Sequence, residues 1–263
     1  MEISVERIDG GKAFDWGRAS NDYAKFRDIY PERFYDTLYS LGVGKAGQRV
    51  LDIGSGTGVL PRNMAHFGAV WTGCDISDDQ IKQAIMLTNA QGLDIDYRVC
   101  PADKLPFDNE CFDAVTACQC YWYFDHKRTA AEFSRVLKAG GRLLICMMNW
   151  LPFEDEIAHK TEQLVLKYNP AWSGANDTFK SLILPQEYTE YFTEKENVSY
   201  RLPVHFTRES WNGRIKACRG IGASDLTDEQ RSQWESEHLA MLSQYPGEFD
   251  VAHYACFALL EKK

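Results

Sequence analysis

The run Val50-Leu51-Asp52-Ile53-Gly54-Ser55-Gly56-Thr57-Gly58-Val59-Leu60 constrains this chain more than any other segment. An apolar strand carrying one carboxylate runs into glycines at alternate positions, and a helix is expected to follow. Glycine is required where backbone turns tightly and a ligand must approach without a Cβ in the way. Strand, glycine-rich turn and helix start form the nucleoside-binding corner of a doubly wound α/β fold. The spacing narrows the ligand. A dinucleotide fingerprint would need glycine at position 59, which is Val59, and the Gly-Lys-Ser/Thr ending of a P-loop is absent. A carboxylate at Asp52 would repel a pyrophosphate but accept hydrogen bonds from an ammonium group. The corner therefore suits a cationic, phosphate-free nucleoside.

The second strand, Val70-Trp71-Thr72-Gly73-Cys74-Asp75, ends in another carboxylate, and Ser77-Asp78-Asp79-Gln80 reads as a capping box opening a helix to about Asn89. Tyr97-Arg98-Val99 reads as a short third strand and Cys111–Ala117 as a fully buried one. Directly after it stands Cys118-Gln119-Cys120-Tyr121-Trp122-Tyr123-Phe124-Asp125. In open α/β sheets ligands sit beyond the carboxyl ends of the strands, so Gln119 and these aromatics belong near the reacting group.

The glycine loop, with Asp75 at the expected separation, resembles motif I of the class I S-adenosylmethionine-dependent methyltransferases over roughly residues 20 to 147. The resemblance implies a Rossmann-like seven-stranded sheet with an antiparallel final strand, a helical N-terminal cap and an inserted helical lid. It implies S-adenosylmethionine as cofactor and S-adenosylhomocysteine as product. Asp52, Gly54, Ser55 and Gly56 would pass under the amino-acid portion, and Asp75 would hold the ribose hydroxyls. Asp103 and neighbouring Ala102, within Pro101-Ala102-Asp103-Lys104-Leu105-Pro106-Phe107, would meet the adenine, and Ile76 is a further cofactor-binding candidate. Gln119, Trp122 and Phe124-Asp125 resemble the Gln-x-x-x-Trp-Phe-Asp stretch of trans-aconitate methyltransferases, with Trp122 and the Phe-Asp pair off by one residue relative to each other. The segment Asn21–Pro31 resembles the Tyr-x-x-x-Arg-Pro-x-Tyr-Pro lead-in of small-molecule methyltransferases, which places Tyr23 and Arg27 on the cofactor side; Asp28 stands where proline is usual. Trp122, Trp211 and Arg214 would line the acceptor, with Arg219 weighed beside Arg214 as a partner for an acceptor carboxylate. Solvated cations on an amphipathic helix are the alternative for both arginines. Likeness to ubiquinone- and menaquinone-biosynthesis methyltransferases keeps quinone head groups among the acceptors.

The chain has 263 residues, 44% of them hydrophobic, enough for one substantial core. One methyltransferase domain is expected over 1–263: a cap at 1–45, a cofactor-binding core at 46–149, an inserted lid at 150–197 and C-terminal strands and helices at 198–263. Val136-Leu137-Lys138-Ala139-Gly140-Gly141 fits a helix ending in a glycine cap before the strand Arg142–Met147. Strands are expected at Val198–Phe206 and Val251–Leu260, and helices after Thr207 and Thr227. A formal charge of −9 without a Lys/Arg cluster argues against a nucleic-acid partner. No apolar run approaches the roughly 20 residues of a membrane-spanning helix, so no membrane is expected. Eight cysteines without framework spacing fit reduced thiols and a cytoplasmic setting. A small-molecule acceptor is the expected partner, a homodimer stays open, and no metal is expected.

Methyl transfer from a sulfonium asks the protein for alignment and water exclusion. An oxygen nucleophile of high pKa would add a base, for which His126 and His205 are the candidates. Neither is assigned, so the catalytic residues are unknown at this level. Cys118 and Cys120 raise arsenite as a substrate, without the further separated cysteines that chemistry uses. The different-class alternative is a non-catalytic sensor of S-adenosylmethionine or S-adenosylhomocysteine.

Overall fold

The computed structural model describes residues 2–263. Its strands are β1 Arg49–Ile53, β2 Val70–Asp75, β3 Asp96–Val99, β4 Phe112–Cys118, β5 Leu137–Trp150, β6 Phe192–Thr207 and β7 Glu248–Lys262. They form one seven-stranded sheet in the order β3-β2-β1-β4-β5-β7-β6, parallel from β3 through β5 and antiparallel in its final strands. The helices are α1 Ser20–Phe26, α2 Glu32–Ser40, α3 Val59–Met64, α4 Asp78–Ala90, α5 His126–Val136, α6 Glu156–Tyr168, α7 Arg208–Lys216 and α8 Asp228–Leu242.

The central strands are apolar on both faces, as a parallel sheet covered by helices requires. Val50, Leu51, Ala114, Val115, Ala117, Leu143, Leu144 and Ile145 are all shielded from solvent. Helix starts follow the capping chemistry written in the sequence. Ser77, Asp125 and Asp155 accept from backbone amides of α4, α5 and α6. Thr207 and Thr227 form reciprocal capping boxes at α7 and α8.

By contact density the chain divides into two compact units. The sheet unit holds residues 30–148, 180–200 and 255–263; the other holds residues up to 29, 149–179 and 201–254. The inserted segment expected as a lid is thus shared between them: its helix α6 lies in the second unit, while residues 180–197 belong to the sheet unit and already include the start of β6.

One local expectation is corrected. Helix α5 ends at Val136, and Gly140 and Gly141 lie inside β5 rather than at a helix cap. Gly140 does take a left-handed φ of +66°. It lies where the pairing of β5 with β4 jumps from Phe112↔Leu137 to Ala114↔Arg142. The conformation that glycine supplies is used in a β-bulge.

Candidate cofactor site and family assignment

The site is built in the sheet unit at the carboxyl ends of β1, β2 and β4. Gly54, Gly56 and Gly58 have φ of +64°, +54° and +75°, so the loop needs a left-handed backbone at three alternating positions. The Ser55 amide donates to the Cys74 carbonyl at 2.9 Å, tying the loop to β2. Asp75 completes the tie. Its carboxylate accepts from the Gly56 amide at 2.9 Å and the Ser77 amide at 2.8 Å. Burial raises the Asp75 carboxyl above its usual range, opposed by the backbone amides of Ser77, Gly56 and Ile76. Each carboxylate oxygen keeps a lone pair for a further donor. Ile76, beside it, is 41% exposed.

Asp52 stands opposite Thr116 in the β1–β4 register and accepts its hydroxyl proton at 2.7 Å. The residue is 2% exposed, and burial pushes its carboxyl up to about 7, against the Thr116 hydroxyl and with the Asp75 charge adding to the rise. No cationic side chain is among the groups that shift it. A carboxyl raised in the fold favours the protonated state there. Its contribution to stability is complete below the unfolded value near 3.9 and is lost as pH rises through the folded value of about 7. We expect the ligand-free protein to lose about 1.4 kcal/mol per pH unit across this window from Asp52 alone. Urea unfolding between pH 5 and pH 7 measures this, and Asp52→Asn should remove that part of the slope. An identical slope in the variant would show that Asp52 does not titrate there.

The remaining sheet-unit candidates are held by contacts that the sequence did not announce. Asp103 pairs with Arg128 of α5 at 2.9 Å, and Ala102 is half-buried beside it. Gln119 has a φ of +61°, uncommon outside glycine. Its amide nitrogen donates to the Met148 carbonyl, leaving the side-chain oxygen as acceptor. Trp122 lies in a short 3-10 turn, edge-on to Tyr121, while Phe124 packs on Phe133. Cys120 donates from Sγ to the Ile53 carbonyl at 3.1 Å and lies under Gly54.

Six candidates fall in the second unit. The Arg27 guanidinium lies 4.8 Å over the Tyr23 ring, which meets Trp16 edge-on. Trp211 and Arg214, expected to line the acceptor, are both buried. Trp211 Nε1 donates to Thr161 Oγ1 at 2.9 Å, and that hydroxyl bonds His238 at 3.0 Å. Arg214 stacks 5.0 Å over Trp150 and donates to Cys218 Sγ. Arg219 is buried too, in an ion pair with Asp9. His205 is exposed and faces Asp250 at 3.0 Å and Glu248 at 3.7 Å. Among the described residues no group of three His, Cys, Asp or Glu side chains could hold a metal ion.

The residues of the loop fit S-adenosylmethionine. A Cβ built on Gly54 would come within 2.7 Å of Cys120, so the cradle has no room for a side chain. A buried carboxyl without a cation suits an ammonium ligand. The sequence profile of the family described as "Methyltransferase domain" matches residues 51–145. A ubiquinone biosynthesis O-methyltransferase of Pseudomonas entomophila is 31% identical over 179 residues, 66% of this chain and 74% of the relative. The chain belongs to the class I S-adenosylmethionine-dependent methyltransferases. The methyltransferase is also 35% identical to a ubiquinone/menaquinone biosynthesis C-methyltransferase of Bordetella avium, over 47% of this chain and about half (51%) of that one. In fold it is similar to the YcgJ protein of Bacillus subtilis, with a TM-score of 0.52 at 18% identity, covering 89% of this chain and 99% of that one. The methyltransferase is an enzyme with the mixed sheet of its family, and none of its described helices is long and apolar enough to cross a membrane.

Proposed function

We propose that this methyltransferase transfers the S-methyl group of S-adenosylmethionine to a small-molecule hydroxyl, carboxylate or amine by in-line displacement. The observation that carries the reading is the Asp75 carboxylate bonded to the Gly56 amide, which brings both cofactor signals of the sequence into one site. When bound, the cofactor supplies an already activated methyl group on a cationic sulfur.

The protein's part is placement. Asp52 would balance the ammonium charge, and cation binding would draw its carboxyl back to the ionised form. The spare lone pairs of Asp75 would accept the ribose hydroxyls, Ile76 and Ala102 would flank the adenine, and Asp103 would accept from its exocyclic amine. Gln119 would present its side-chain oxygen toward the amino-acid portion. Trp122, at the carboxyl end of β4, would face the acceptor, where an aromatic ring steadies a nearby cation by roughly 0.5–2 kcal/mol. Trp211 and Arg214, in their packed interior, hold no acceptor role in this reading, and no catalytic base is assigned.

The relative named a ubiquinone biosynthesis O-methyltransferase makes hydroxyls the first acceptor class to try, and the relative named a C-methyltransferase adds carbon acceptors. Calorimetry with S-adenosylmethionine should give micromolar binding, and tritiated methyl should appear in one of these acceptors. Absence of binding, with or without candidate acceptors present, would overturn the reading.

A further inference from the structure

We propose that Tyr97, on β3, is a positioning residue that fixes the glycine loop against β2 and so sets cofactor affinity. The proposal rests on the loop being the cofactor's seat. Two glycines on different elements leave room for this one ring. A Cβ on Gly58 would meet Tyr97 Oη at 2.2 Å and Cζ at 2.9 Å. A Cβ on Gly73, in the middle of β2, would meet Tyr97 Cδ1 and Cε1 at 2.6 Å and Ser55 Oγ at 2.7 Å. Gly73 has no left-handed φ to explain it, so close packing against the ring and Ser55 is its reason. The tyrosine therefore lies against the Gly58 end of the loop and, with Ser55 Oγ from its other end, fills the space over Gly73.

The ring is itself held. Tyr97 is 9% exposed and packs with Ile81, Ala84 and Ile95. Its hydroxyl lies 3.1 Å from Thr88 Oγ1 on α4. Burial raises the phenol to about 12, so it stays neutral at physiological pH. A neutral ring fastened to α4 at its far end and flanked by two glycines transmits the position of the sheet edge to the loop, while touching no reacting atom.

The test compares Tyr97→Leu, Tyr97→Phe, Gly73→Ala and the double variant Gly73→Ala/Tyr97→Leu. Amide hydrogen exchange of the ligand-free proteins at residues 55–58 is read alongside S-adenosylhomocysteine binding by calorimetry. Tyr97→Leu should speed exchange in the loop at least tenfold and weaken binding at least tenfold. In turnover with an accepted substrate its cofactor KM should rise, while kcat at saturating cofactor stays within about twofold. Tyr97→Phe keeps the ring and should stay within threefold of native binding. Gly73→Ala should weaken binding, and the double variant should bind at least threefold better than the product of the single effects, because removing the ring makes room for the methyl. Native loop exchange and affinity in Tyr97→Leu, or defects that simply multiply, would overturn the proposal. Absence of binding by the native chain would instead sink the cofactor reading, and the exchange data would still decide whether Tyr97 positions the loop.

Discussion

Replacing Gly54 by alanine is expected to weaken S-adenosylmethionine binding by at least about a hundredfold. Two costs add. A residue with a Cβ held at the observed φ of +64° is strained by roughly 1–2 kcal/mol. The new methyl also meets Cys120 Cβ and Sγ at 2.7 Å, and overpacking of a closed interior costs roughly 1–3 kcal/mol. Their sum, near 3 kcal/mol, corresponds to about two orders of magnitude in affinity if the loop moves to relieve it. Calorimetry measures the loss, and thermal unfolding reports how much of the strain the fold absorbs. The companion variant Gly54→Ala/Cys120→Gly separates the terms: removing both Cβ and the thiol of Cys120 should recover the steric part and leave the backbone part. Full recovery would mean the backbone strain is negligible. No loss in the single variant would mean that the cofactor does not depend on this loop.

Asp75→Ala is expected to have an effect of similar size by a different route. The substitution leaves the Gly56 and Ser77 amides without their charged acceptor. Hydrogen bonds to a charged group are worth roughly 1.5–3 kcal/mol each. Losing both should loosen the loop and reduce cofactor affinity about a hundredfold, with any lost ribose contact included. Asp75→Asn should fall between native and alanine, since one side-chain oxygen remains to accept while the new NH2 faces a donor. Exchange protection at Gly56 should drop in parallel with affinity across the series. A loop that stays protected in Asp75→Ala while binding collapses would assign the carboxylate to the ligand alone. Unchanged binding would remove Asp75 from the site.

How far the sequence spoke for itself follows from which interactions are local. The β1 loop, the end of β2 and the helix caps at Ser77, Thr207 and Thr227 were legible, because each is written in a few consecutive residues. Thr116 was not, although it donates to Asp52. It lies 64 positions away, and only the strand register brings it opposite. Tyr97 read as part of a short strand for the same reason, since its meaning depends on two glycines in other elements. Gly140 carried the correct conformational signal and was misplaced, because a left-handed glycine serves a helix cap and a β-bulge equally well. The surroundings of Trp211 and Arg214 were not legible in the sequence. Residues Trp211 to Ile215 of α7 are all buried in succession, so no solvent face exists to reveal which side is in. Asn212 and Trp211 spend their polar groups on the interior: Asn212 meets His238 at 2.8 Å, and Trp211 meets Thr161.

The sheet order has a further consequence for how the protein comes to exist. Synthesis delivers β5, then β6, then β7, yet β7 lies between the other two. While a ribosome is still making the last strand, β5 offers one side without a neighbour and β6 has none at all. Unpaired strand sides of this kind are templates for wrong pairing. The nascent chain therefore carries its greatest aggregation hazard late in translation, and a chain cut short just before Glu248 would keep that hazard permanently.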